Sequence, residues 1–290
     1  MTASIPNTTV SIDENRELTY TEYGDASGTP VLFLHGTPGS RRLGTLFDTA
    51  AREHGIRLLA PDRPGYGQSP PWSDRSISDA ETYLTALLDD AGVETAGVVA
   101  FSGGSAHALA TAASHPNRFD RVDVVAGATP PSVDAETPTP QRVLSGLATR
   151  VPRGLGALLR GQAFLAARLD PSFVVAQYSN DPDSVPEEVQ SLVKADFLEA
   201  FAESRSGAVT ELRNTASEWD VAFGDIDADV RLWHGEQDTN VPVAGARQLR
   251  ERIPGAELQL LEDADHLQTL CRATPDALAA QGEKLTADTA

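Results

Sequence analysis

Gly97-Val98-Val99-Ala100-Phe101-Ser102-Gly103-Gly104 reads as a strand that runs straight into a serine and then into a helix over 103–114. An unbroken apolar run marks a strand buried on both faces, the habit of parallel sheets. A serine at a tight strand-to-helix turn stands above the sheet, where it can act as a nucleophile. Such a turn needs small residues two before and two after the serine, because neighbouring backbones crowd there. Ala100 and Gly104 meet that need, although glycine is the more usual first residue. A frame centred on Ser105 fails, since His107 would fall on the small position. The plainer reading is a helix start with Ser102 as N-cap. At this point both readings stand.

Outward from this turn, strands and helices alternate. Two strands, roughly 8–13 and 17–23, flank the polar turn Asp13-Glu14-Asn15. Val31–Leu34 is the next apolar run and stops at His35-Gly36, with a helical stretch near 41–54. Ile56–Ala60 is a strand that ends in the Gly/Pro-rich turn 62–71. Residues 76–91 carry Ile77, Ala80, Leu84, Leu87 and Leu88 at helical spacing. Val122–Ala126 is a further strand, and the pattern resumes with Val230–Trp233, a helix near 243–252, Leu258–Leu261 and a last helix after Pro275. Alternation of this kind predicts an α/β class protein, a mostly parallel sheet with helices on both faces. About 100 residues, 129–229, separate the two halves, whereas a parallel crossover needs only about a dozen. Its segments are amphipathic: Leu155, Leu158, Leu159 and Leu165 in one, Val189, Leu192, Val193 and Phe197 in another. We expect a core of 1–128 and 230–290, with 129–229 a helical cap over the carboxyl ends of the strands, where open α/β sheets bind ligands.

Composition narrows the function. The 290 residues carry 23 Lys+Arg against 42 Asp+Glu, a formal charge of −19. Nucleic acid and anionic membrane surfaces are poor partners for such a chain. No run of about 18 apolar residues is present, so no spanning helix is expected. The first ten residues lack the pattern of a signal peptide, which implies a cytoplasmic protein. Cys271 stands alone and permits no internal disulfide, and no metal-binding spacing occurs. Only two of the basic residues are lysines, Lys194 and Lys284. Acid excess without lysine points to a halophilic host, where salt screens the self-repulsion. A GC-rich genome would explain the missing lysines but not the acids.

Five segments together resemble the α/β-hydrolase superfamily: His35-Gly36-Thr37-Pro38-Gly39, Asp62-Arg63-Pro64-Gly65-Tyr66-Gly67-Gln68-Ser69, the serine turn, Trp233-His234-Gly235-Glu236-Gln237-Asp238, and Asp265-His266-Leu267. The resemblance covers nearly all of the chain apart from 129–229 and the termini. It implies an α/β-hydrolase fold and a catalytic triad in the order Ser102, Asp238, His266. Ser102 needs an adjacent base. His266, in a loop after the last strand, fits best. His35 reads as structural, His54 and His115 as exposed, His107 as packing and His234 as core. Asp238 would orient the imidazole. Asp225, Asp227, Asp263 and Asp265 read as surface or turn residues, and Asp62 as the brace of its own turn. The oxyanion hole would be the N–H groups of Gly103 and Thr37, with the Thr37 hydroxyl a further donor.

A serine at 102 sets the chain apart from dehalogenases and epoxide hydrolases of the superfamily, which place aspartate there. The expected reaction is hydrolysis of a small or medium-sized ester through an acyl-enzyme. The same triad serves thioester, amide and carbon–carbon hydrolysis and cofactor-free perhydrolysis, and a non-catalytic ligand-binding protein on this fold is the remaining alternative. The expected partner is a small-molecule substrate, with no cofactor and no metal. Trp219 and Tyr178, with Trp72 and Phe223, are candidates for the pocket lining, although packing between cap and core explains each equally well.

Overall fold

All eight runs read as strands form strands: β1 (Asn7–Ser11), β2 (Glu17–Gly24), β3 (Thr29–Leu34), β4 (Ile56–Asp62), β5 (Ala96–Phe101), β6 (Phe119–Val125), β7 (Asp229–Gly235) and β8 (Glu257–Leu261). The computed structural model describes residues 6–133 and 138–288. The strands make one sheet in the order β1-β2-β4-β3-β5-β6-β7-β8. β2 pairs antiparallel with β1 and with β4, and every other pair is parallel. The α/β expectation is therefore met, and β5, buried along its whole length, lies inside the sheet.

Alternate residues of β5 feed two cores. Val98 and Ala100 join one apolar cluster, with Leu84 of α2 (Ala80–Asp90), Leu109 of α3 (Gly104–Ser114) and Leu249 of α9 (Val243–Arg252). Val99 and Phe101 join the other, with Ala51 of α1 (Asp48–Glu53) and Leu270 and Leu278 of α10 (His266–Asp288). The period of two along the strand thus becomes two helical layers. Each fully buried leucine contributes about 1.5–3 kcal/mol by leaving water.

Between β6 and β7 the described residues form five α-helices: α4 (Thr139–Arg150), α5 (Pro152–Ala166), α6 (Ser172–Val175), α7 (Glu187–Ala200) and α8 (Ser206–Asn214). Leu155, Val193 and Phe197 from this stretch share a cluster with Phe33 and Tyr66. The insertion is thus packed directly on the sheet layer. Leu158 and Leu165 were expected on the same buried face as Leu155, yet both are exposed; Ala163 and Ala166 take the buried positions with Leu155 and Leu159.

Several boundaries differ from expectation, two of them with a visible cause. β6 begins at Phe119, not 122, because the Arg121 guanidinium is neutralised two residues along its own strand by Asp123, at 2.8 and 3.1 Å. The last helix begins at His266 and passes through Pro275. Its start is a reciprocal cap: Asp265 Oδ1 accepts the Gln268 N–H at 2.8 Å, and Gln268 Oε1 accepts the Asp265 N–H at 3.0 Å.

α7 is tied to the sheet layer by charge. Asp196 Oδ1 accepts from the Ser40 N–H (2.8 Å) and hydroxyl (2.7 Å), while Arg41 bridges Asp62 and Glu199. Burial pushes the Asp196 carboxyl up to about 7, against the pull of its Ser40 hydrogen bonds, with the neighbouring Asp62 charge adding to the rise. Folding therefore takes up a proton between the ordinary value of 3.8 and about 7, and stability falls as pH rises through that window. Asp196→Asn keeps the acceptor oxygen and removes the charge. Urea midpoints at pH 5 and 8 should show a smaller loss of stability with pH in the variant than in the parent. Parallel losses would mean that Asp196 is ionised throughout.

Candidate active site

Ser102 has φ 51, a left-handed conformation that costs a non-glycine residue about 1–3 kcal/mol. Its backbone is held there on both sides. The N–H donates to Val125 O at 3.0 Å, and the carbonyl accepts from the N–H groups of Ser105 (3.1 Å) and Ala128 (3.0 Å) and from the Ser105 hydroxyl (2.7 Å). This is not N-cap geometry; Gly103 stands at that position instead. The small residue at 104 has a visible cause: a Cβ there would meet Leu34 O at 2.6 Å and His35 O at 2.8 Å. The start of α3 passes that close to the end of β3.

Asp238 comes from the loop after β7 and His266 from the first position of α10, after β8. His266 Nδ1 lies 2.7 Å from Asp238 Oδ2, and both side chains are buried. The other carboxylate oxygen accepts the N–H groups of Asn240 and Val241, each at 2.9 Å. Burial alone would raise the Asp238 carboxyl, but the His266 and His234 contacts and the Val241 amide hold it below the usual range. With Nδ1 donating to this carboxylate, Nε2 is left as the acceptor. The imidazole packs at a tilt of 41° against the Phe101 ring, centroids 4.8 Å apart, one residue from Ser102. No hydrogen bond joins the Ser102 hydroxyl to His266 here. His266 opens α10 and does not sit in a loop, and Asp265 is a buried helix cap, not a surface residue. Asp265 Oδ2 also accepts from the Ser179 hydroxyl and the Asn180 N–H, which ties the insertion to the start of the histidine's helix.

The loop after β3 is braced from behind. Gly36 O accepts from His35 Nδ1 (2.8 Å) and from Arg63 Nη2 (3.0 Å), and Arg63 Nη1 donates to His35 O. A peptide plane whose carbonyl is held this way points its N–H in the opposite direction. That N–H belongs to Thr37, which lines the cavity beside Ser102 and Gly103. The approach is close, since a Cβ on Gly103 would lie 2.3 Å from Thr37 Oγ1 and 3.5 Å from its nitrogen. The Thr37 hydroxyl is not free to help, because it donates to Glu211 Oε2 at 2.6 Å.

Glu211 of α8 is the residue that sequence reasoning missed. Its buried carboxylate takes both arms of the Arg63 fork at 2.8 Å, Arg75 Nη2 at 2.9 Å and the Tyr66 hydroxyl at 2.9 Å. His107 Nε2 stands 3.2 Å away, with its Nδ1 2.9 Å from the Tyr83 hydroxyl. Burial would raise Glu211, but the charges and hydrogen bonds of Arg63 and Arg75 hold it well below the usual carboxylate range. Burial lowers His107 to about 4, so its imidazole is neutral at pH 7. In a chain with 42 acidic residues, nothing local separates Glu211 from the solvated ones.

Ser102, Thr37 and Gly103 open onto a cavity of about 880 Å³ between sheet and insertion, with Leu144, Tyr178 and Leu212 on the insertion side. Tyr178 is thus at the expected place; its carbonyl accepts the Leu267 N–H at 2.9 Å. Trp219 does not reach the cavity. It is buried in the cluster of Leu84 and Leu109, and Trp72 and Phe223 pack against the same cluster. Trp219 thus belongs to the core, and Trp72 and Phe223 are partly buried against it. Among the described residues, no group of three His, Cys, Asp or Glu side chains is placed to hold a metal ion. No described helix is long and apolar enough to cross a membrane.

Residues 29–270 match the family model described as alpha/beta hydrolase fold. An uncharacterized hydrolase, YcgS, of Bacillus subtilis is 28% identical over 83% of this chain and 85% of its own. A 2-hydroxymuconate semialdehyde hydrolase of Pseudomonas putida is 25% identical over 84% and 83%. The crystal structure of a bromoperoxidase from Bacillus anthracis superposes with a TM-score of 0.72 at 19% identity, over 95% of this chain and 99% of the other, a likeness of fold. With its sheet order and most of its length accounted for in this way, the chain belongs to the alpha/beta hydrolase fold family.

Proposed function

We propose that this protein hydrolyses a small or medium-sized carboxylic ester by an acyl-enzyme route. Ser102 Oγ attacks the carbonyl carbon and passes its proton to His266 Nε2. Asp238 holds the ring and stabilises the imidazolium. The oxyanion is met by the N–H groups of Thr37 and Gly103. The imidazolium then protonates the leaving alcohol. Water, activated by the same ring, releases the acid and restores Ser102. The observation that carries this reading is the hydrogen-bonded Asp238–His266 pair set against Phe101, at the foot of a serine held at φ 51 above the sheet.

In this reading residues 129–229 act as a cap and Tyr178 lines the acyl pocket. Glu211 and Arg63 are positioning residues, since they fix the peptide that carries the Thr37 amide. Carbon–carbon cleavage and perhydrolysis would use the same three groups, and the names of the Pseudomonas relative and the bromoperoxidase stand for other chemistry on this fold.

The test is release of nitrophenol from an ester series running from acetyl to long acyl chains. It is run in about 0.1 M and about 3 M KCl, because the acidic composition points to a salt-adapted enzyme. Ser102→Ala should lower kcat by about 10⁴-fold or more, and Asp238→Asn by about 10²–10⁴-fold. Turnover that survives Ser102→Ala would overturn the reading. Glu211→Gln should lower kcat about 10–100-fold with little change in KM, besides lowering Tm. Measured well below Tm, an unchanged kcat in that variant would leave Glu211 a purely structural residue.

A further inference from the structure

Among the described residues, the charge lining the cavity runs against the charge of the chain. The protein has 42 acidic residues, yet none of the described residues lining the cavity is Asp or Glu. Its charged lining residues are Arg142 and Arg150, eight positions apart on α4. Both are exposed, and neither belongs to an ion pair among the described residues. They belong to a longer bias: residues 138–169 contain five arginines and no acidic residue. A cation in the last turn of a helix is favoured by the helix dipole, which gives Arg150 a structural reason. Arg142 stands near the start of α4, where the dipole disfavours a cation, so its position is not explained by helix stability.

Resting on the hydrolase reading above, we propose that the substrate carries an anionic group, a carboxylate on the acyl portion distal to the scissile bond. Arg142 and Arg150 receive it at the rim of the cavity while the ester carbonyl sits at Ser102. The polar lining residues Gln141, Ser145 and Thr149, on the same helix, lie between or beside the two arginines. A positive rim on an otherwise negative molecule also concentrates an anion at the entrance that the rest of the surface repels.

The probes are the 4-nitrophenyl ester of pentanoic acid and the mono-4-nitrophenyl ester of glutaric acid, acyl chains of equal length that differ in one terminal carboxylate. At low ionic strength the glutarate ester should have the higher kcat/KM by about tenfold. The Arg142→Ala/Arg150→Ala double variant should bring the ratio of the two values close to one. The ratio is unaffected by any partial loss of folded enzyme. A parent ratio at or below one, or a preference that survives in the double variant, would overturn the proposal. Calorimetric titration with glutarate separates this from failure of the hydrolase reading. Binding by the parent and not by the double variant supports the anion site even if neither ester is turned over. Equal binding by both proteins, or none by the parent, counts against it.

Discussion

The two-armed hydrogen bond between Glu211 and Arg63 holds the site in its shape. One partner sits on α8 of the insertion and the other in the turn after β4, 148 positions earlier. Arg63 reaches past the carboxylate to the carbonyls of His35 and Gly36, and so fixes the peptide whose N–H faces the cavity. Burying such charges is expensive, and the geometry must be good to recover the loss of solvation. Here it is: Glu211 is met by Arg63, Arg75, Tyr66 and Thr37 at 2.6–2.9 Å. Two guanidinium groups face one carboxylate and a neutral imidazole. The cluster therefore keeps positive charge behind the loop where negative charge would develop in acyl transfer.

A second coupling joins the insertion to His266. Asp265 caps α10, and with its other oxygen takes hydrogen bonds from Ser179 and Asn180. His266 is the next residue, so the helix cap that fixes its backbone also fixes the imidazole against Asp238. Insertion and sheet meet through Glu211 on one side and Asp265 on the other. The cavity lies between them, and neither half forms it alone.

Much of this was legible in the residues. The unbroken apolar run into Ser102 places the turn, and alternation along the chain places the parallel sheet. The Asp265-x-x-Gln268 capping box was also present in the sequence and marks the true start of α10, but Pro275 hides it, since a proline inside a helical pattern reads as a boundary. Glu211 was not legible. Its role depends on an approach to Thr37 from 174 positions away, and no local pattern distinguishes it in so acidic a chain. Trp219 misleads for the converse reason: an aromatic side chain near a pocket and one in the core beside it have the same sequence signature.

The central claim is that Ser102 is the nucleophile of this site. The most direct measurement is intact-protein and peptide mass spectrometry after exposure to a nitrophenyl phosphonate ester, which reacts with an activated serine and stays attached. The account predicts one adduct per chain, on the peptide that contains Ser102, absent in Ser102→Ala and much slower to form in His266→Ala. No adduct on folded protein, or an adduct on another residue that persists in Ser102→Ala, would contradict it.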